Sequence, residues 1–334
     1  MSELPRIKQE DVPELDREQR LVLIQREAMQ FMPSDGSAFP LASPQNGYYQ
    51  LPMLKKPSWS WEVPLYFFVG GAAGSAGMIG AVAHVTGAPA EVVRDARRIA
   101  FAGAILSPAL LISDLGRPAR FLAMLRVFKP QSPMSVGVYV LMAFSAGATA
   151  ANLGEWLERH RQFSRIAVFM QNLGDIVALM FGLPLVTYTG VLIGVTVIPA
   201  WNKNVALLPA HFAASGMAAA VGLLELMGHE SPALQALGTG AALMETGMGI
   251  SIEANPDPAV EPLKRGTSGW LIRLGGVLSG PVPLVLRAFS FFSKGRRASK
   301  LRKYAAVSSV VGSAITRAAW IHAGSVSARQ SRPT

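Results

Sequence analysis

The sequence predicts an all-α, polytopic membrane protein of about eight transmembrane helices, arranged as a bundle of two four-helix halves. Three observations predict it. Half of the 334 residues are apolar and only 16% are charged, a balance foreign to water-soluble domains. The apolar residues fall in runs close to the roughly 20 residues that cross a bilayer. The basic residues behind the net charge of +10 cluster in the connections between those runs, as membrane topology requires. That clustering argues against nucleic acid as a partner and for membrane lipid as the surroundings.

The chain divides into a polar leader over 1–58, a helical bundle over 59–325 and a short tail over 326–334. In the leader, Glu14–Met32 has the pattern of one helix, and the Pro-, Gly-, Ser- and Asn-rich Ser34–Gln50 reads as extended chain. Trp59 and Trp61 then mark a membrane interface. The first span, about 63–85, carries a Gly70–Gly77 run that permits close helix contact. Spans follow at about 97–114 (short, with Pro108), 134–153, 173–197, 204–228 and 232–252. A seventh at about 268–292 contains Pro281 and Pro283 and is expected to be broken or kinked. An eighth runs about 304–324.

Between the second and third spans lies DLGRPARFLAMLRVFKPQSPM, residues 114–134. Pro118, Pro130 and Pro133 forbid one continuous helix. Phe121, Leu122, Leu125 and Phe128 are too apolar for an ordinary loop, while Arg117, Arg120, Arg126 and Lys129 make it basic. Such a stretch is either an interfacial surface that receives a partner or a lipid-headgroup contact. Ser113-Asp114-Leu115-Gly116-Arg117-Pro118 with Phe121, then Lys129-Pro130 and Ser132-Pro133-Met134, resembles the NrfD / polysulfide reductase membrane subunits. Tyr188-Thr189-Gly190 and Ile315-Thr316-Arg317-Ala318-Ala319-Trp320 resemble further segments of that family.

The resemblance implies a quinone-interacting anchor, binding menaquinone or ubiquinone, in a bacterial cytoplasmic membrane. It implies an iron–sulfur (ferredoxin-like) partner and a molybdopterin catalytic partner. In the family the quinone site lies at the start of the first helix. Aligning the glycine run puts Tyr66 where the resemblance has a histidine and Val63 where it has an asparagine, a departure that changes the hydrogen-bonding pattern. Glu62, Tyr66, Asp114 and Tyr188 are then the expected quinone-site residues, with Glu62 and Asp114 handling protons. Arg117, Arg120, Arg126 and Lys129 are the expected docking surface.

An ionisable group inside a bilayer is costly and thereby a candidate for function. The set comprises Glu62, Asp114, Asp175, Glu225, Glu245, Glu253, Arg273 and Arg317, with His84, His211 and His322. Glu62 and Asp175 also read as simple helix caps, and Asp114 as an interfacial ion pair with Arg117. Glu225 and Glu245 are expected to face each other as a proton path or polar pair, with Arg317 as partner to one of them. The absence of cysteine rules out disulfides and thiolate-held clusters within the chain. The histidines lack the paired spacing of a two-haem protein, so neither haem nor metal is expected here. No signal-peptide pattern is present in the charged first 30 residues.

Eight spans place both termini on one side; the basic 293–303 segment argues that this side is the outer one, as the resemblance also implies, whereas Arg117, Arg120, Arg126 and Lys129 argue the other way. Two other classes compete with the respiratory reading. One is a proton-coupled secondary transporter using the buried acids and the broken helix; the other is a purely structural anchor.

Overall fold

The computed structural model describes residues 59–115, 119–160 and 164–330, together with 54 and 57. The leader, including the helix expected over Glu14–Met32, lies almost wholly outside these residues. So do Arg117 and the last four residues of the tail.

Helix follows helix. They are α1 Glu62–Val85, α2 Ala90–Asp114, α3 Ala119–Arg126, α4 Pro133–Arg159, α5 Ser164–Gly194 and the single turn α6 Pro199–Asn202. Then come α7 Leu208–Leu226, α8 Pro232–Ala254, the short α9 Glu261–Lys264, α10 Gly266–Ser279, α11 Pro281–Phe292 and α12 Gly295–Gln330. No strand occurs among the described residues.

Local chemistry sets several ends. The Ser-Pro pairs at 132–133 and 231–232 start α4 and α8: each serine side chain caps the backbone N–H three residues on, at 3.4 Å from Ser135 and 3.2 Å from Leu234. Gly87 (φ 68°) and Gly228 (φ 101°) follow α1 and α7 in the left-handed region that ends helices. Between α10 and α11, Pro281 withholds an N–H and Gly280 lets α8 come close: a Cβ there would lie 2.8 Å from Thr246 Oγ1. The seventh segment is broken, as its prolines predict.

α1 is the central helix. It packs on α2, α5 and α7, and its glycines admit Val186 and the Gly182 carbonyl at Gly74, Phe144 at Gly77 and Arg317 at Gly71. α1, α2, α4 and α5 form one half; α7, α8, α10 and α11 form the other. α12 joins the second half, with Ala306 against Gly222 and Thr316 against Gly275.

Five segments among the described residues are long and apolar enough to cross a membrane: α1, α2, α4, α5 and the α10–α11 pair. The expected count of eight is therefore not reached on that measure. α7, α8 and α12 are of spanning length, but His211, Glu225, Glu245, Glu253, Arg317 and the basic start of α12 lower their apolarity.

Candidate functional site

α1 carries Glu62, Tyr66 and Gly70 one turn apart, so the three share a face. Tyr66 is 2% exposed and Tyr188, on α5, is 8% exposed. The Tyr66 hydroxyl donates to that of Tyr188 at 3.3 Å. α4 makes room for this pair at Gly137, where a Cβ would lie 2.0 Å from Tyr188 Cε2. On α2, Ser107 Oγ and the Tyr66 ring each lie 3.6 Å from the point that a Cβ on Gly70 would occupy. Ser107 Oγ, Thr189 Oγ1 and Glu62 Oε2 are buried without a protein partner. Buried polar atoms are normally paired, so Ser107 Oγ beside Gly70 and Tyr66, with Glu62 one turn before Tyr66 and Thr189 next to Tyr188 in the chain, marks this end of the bundle as a candidate site for a polar ligand.

Asp114 closes the same end. Ser60 Oγ donates to its Oδ1 at 2.6 Å, which ties the end of α2 to the entry of α1. Trp59 stacks on Trp201 (5.4 Å, 17°), and Trp201 Nε1 donates to the Trp320 carbonyl at 2.8 Å. Beyond Asp114, α3 carries Arg120 and buries Phe121. Tyr139 Oη donates to the Leu125 carbonyl at 2.8 Å, pinning the connection to α4 and leaving Arg126 and Lys129 exposed.

The mid-bundle acids are arranged differently from expectation. Glu225 and Glu245 do not pair with each other. Glu225 is held by both outer nitrogens of Arg287, at 2.6 and 2.8 Å. Gly238 of α8 makes room for that guanidinium, since a Cβ there would lie 2.5 Å from its Cζ. Glu245 Oε2 accepts from Ser279 Oγ at 2.6 Å, and its Oε1 is 3.6 Å from His211 Nδ1. Arg317, 0% exposed, binds no carboxylate directly: Nη2 donates to the Phe212 carbonyl at 2.5 Å, and Cζ sits 4.0 Å over the Phe212 ring. The reason is register. Glu225 closes the last turn of α7, whereas Glu245 sits mid-way along the antiparallel α8 beside the other end of α7. Arg317 Nε and Nη1, His211 Nδ1, Glu245 Oε1 and Thr316 Oγ1 are all buried and unpartnered.

Asp175 is no cap. It lies well inside α5 and takes Arg97 in a two-pronged bond, Nε to Oδ1 at 3.1 Å and Nη2 to Oδ2 at 2.5 Å, with His84 Nδ1 at 2.6 Å. Arg97 Nη1 also donates to Gln171 at 2.9 Å. Nearby on the same end, His229 Nε2 is 2.9 Å from Asp95 Oδ2 and Arg98 donates to Asp95 Oδ1 at 2.9 Å. Sequence reasoning missed Arg97, Asp95, His229 and Arg287. Arg287 had a signal, a single arginine in the apolar Val285–Phe289 stretch. Of the remaining candidates, Glu253 and Arg273 pair at 2.6 Å on the exposed surface, and His322 faces outward. No group of three or more metal-ligating side chains occurs among the described residues.

A helical bundle with five segments long and apolar enough to cross a membrane and a tyrosine-centred polar site at one end defines an integral membrane protein. The family described as polysulphide reductase, NrfD, matches residues 50–230, more than half of the chain. The chain belongs to the NrfD family. Pairwise comparison with curated proteins gives no match.

Proposed function

We propose that this chain is the quinone-binding membrane subunit of a respiratory oxidoreductase complex. The observation that carries the reading is the buried Tyr66–Tyr188 pair, with the unpartnered Ser107 oxygen beside Gly70 and Tyr66 and the unpartnered Glu62 and Thr189 oxygens on the same two helices as the tyrosines. Those atoms fit a ring with hydrogen-bonding oxygens, because each supplies a donor or acceptor that the protein leaves unused. A bound quinone supplies a carrier of two electrons and two protons. Tyr188 holds one of its oxygens by donating its hydroxyl hydrogen, and Tyr66 orients Tyr188 by donating to it. Ser107 orients the ring from α2. Glu62, one turn before Tyr66, and Asp114, at the interface, take up or deliver the protons. Arg117, Arg120, Arg126 and Lys129 dock the iron–sulfur partner close to this end, and a molybdopterin subunit completes the complex.

Proton movement through the bundle is the finer part of the reading. Its members are Glu245, His211 and Arg317, whose unpartnered atoms call for bridging water; Glu225 serves as the paired acid of Arg287 at the far end. Orientation follows from charge. Arg94, Arg97, Arg98, Arg159, Arg165, Lys294, Arg296, Arg297, Lys300, Arg302 and Lys303 sit toward the end opposite Tyr66, which supports a cytoplasmic position for that end in a bacterial cell.

Purification from the native membrane in mild detergent, with iron, molybdenum and quinone measured in one sample, tests the reading. Co-purifying iron–sulfur protein with bound quinone supports it. A stable, metal-free and quinone-free single chain sinks it and favours the transporter that the broken α10–α11 segment and buried Glu245 also resemble. An assembled complex whose quinone turnover is indifferent to Tyr66→Phe and Asp114→Asn leaves only a structural anchor.

A further inference from the structure

The end of the bundle opposite Tyr66 holds a cavity of about 790 Å³, where α8 begins and the chain turns from α11 into α12. Its size suits one amphiphilic molecule. Ser231, Gln235, Thr239 and Leu243 line it at four-residue spacing, so they form one row down α8. From Ser231 to Leu243 the helix rises about 18 Å, close to the depth of one leaflet in a bilayer about 40–45 Å thick with its headgroups. The row runs from polar at the mouth to apolar at Leu243, and the exposed Phe291 of α11 belongs to the same lining.

Most hydroxyls of the lining close on their own helices. Thr239 Oγ1 donates to the Gln235 carbonyl and Ser290 Oγ to the Arg287 carbonyl, each at 2.7 Å. Two donors do not. The Gln235 amide has no partner among the described residues, and Arg302 Nε is buried and unpartnered. Arg302 belongs to the mouth, because its Nη2 donates to Glu230 Oε2 at 2.5 Å; one carboxylate therefore stands beside the open donors. It is outweighed. Lys294–Lys303 carries six cations and no acid, and no acidic residue follows Glu261 in the sequence. Lys294, Arg296, Arg297, Lys300 and Lys303 are exposed and form no ion pair among the described residues.

Membrane topology alone accounts for cations at this end, but not for a cavity beside them with open donors at its polar mouth. An isoprenoid quinone carries no charge for the cations to meet. A soluble anion leaves Leu243 and Phe291 uncovered. A phosphate on an apolar tail meets both. We propose that the cavity binds one anionic phospholipid of the surrounding leaflet, whose phosphate accepts from Arg302 Nε and the Gln235 amide while an acyl chain lies along Leu243 and Phe291. The bound phosphate bridges α8 and α12. The site stands independently of the quinone reading.

The test is lipid retention by the intact, detergent-purified protein with its accompanying subunits. The sample is incubated with equal amounts of phosphatidylglycerol and phosphatidylcholine, washed in detergent, and the bound lipid counted by mass spectrometry. Phosphatidylglycerol is expected to be retained in preference. Arg302→Gln should weaken its retention about fivefold, as for the loss of one cation near a membrane surface. Gly240→Leu, whose side chain enters open space in the lining, should abolish it; variants on two helices guard against one misfolding. Lys300→Gln, outside the lining, should leave it unchanged. Equal retention of the two lipids overturns the proposal, as does retention that survives both cavity variants. A loss in Lys300→Gln equal to that in Arg302→Gln overturns it by showing only a diffuse basic surface. Displacement by millimolar inorganic phosphate makes this a free-anion site, and a co-purified subunit lost from both cavity variants assigns the cavity to that protein. Either result also overturns the lipid.

Discussion

The Tyr66 and Tyr188 hydroxyls are buried against each other, so removing one leaves the other unpaired. Tyr66→Phe is expected to lower unfolding stability by about 1 kcal/mol and quinone-linked turnover by about tenfold, read by thermal melting and by activity of the assembled complex. Asp114→Asn keeps the bond from Ser60 and removes a proton acceptor. Turnover should fall by about 100-fold with assembly intact. Arg287 and Glu225 behave as one unit. Arg287→Leu strands a buried carboxylate and should destabilise by about 3–5 kcal/mol, whereas Arg287→Leu with Glu225→Leu should recover most of that loss. Melting temperatures of the two variants decide it, and equal losses would show that the pair is not coupled.

At the scale of elements, small residues set how closely helices approach, and thereby where polar side chains sit. Gly137 on α4 is the clearest case, because the Tyr188 ring occupies the space a Cβ would need. Gly137→Ala is expected to cost about 1–3 kcal/mol through overpacking and to displace Tyr188 from Tyr66. Stability and quinone turnover should fall together, unlike Asp114→Asn, where turnover falls alone. The α10–α11 break acts similarly: it brings Ser279 to Glu245 and Gly280 against Thr246. A continuous helix there would withdraw the serine hydroxyl and leave both carboxylate oxygens of Glu245 open.

For the whole molecule, the natural lack of cysteine makes orientation directly measurable. Gln131, within the basic connection, is exposed and Ser293, between α11 and α12, is half-buried; they lie at opposite ends of the bundle. Gln131→Cys is expected to react with a membrane-impermeant maleimide in cells with a permeable outer envelope. Ser293→Cys should react only after the inner membrane is opened. The reverse pattern would place the Tyr66 end in the cytoplasm and remove the charge argument.

What the sequence by itself determined is whatever depends on neighbours along the chain. The apolar runs, the Ser-Pro helix starts, the interrupted seventh segment and the basic 114–134 connection are local, so helical fold and family were legible in it. Tyr66 and Tyr188 were also legible as candidates, through family-like segments, but their meeting was not. Pairing of side chains across helices depends on rotation and register, which no single segment encodes. Asp175 therefore looked like a cap until α5 proved long enough to carry it inward to Arg97 and His84. Glu225 and Glu245 looked like partners until the antiparallel run of α7 and α8 set them against Arg287 and His211. The tertiary structure decided those partnerships because buried charges and polar groups must find partners within hydrogen-bonding reach, and that reach is fixed only when helices pack.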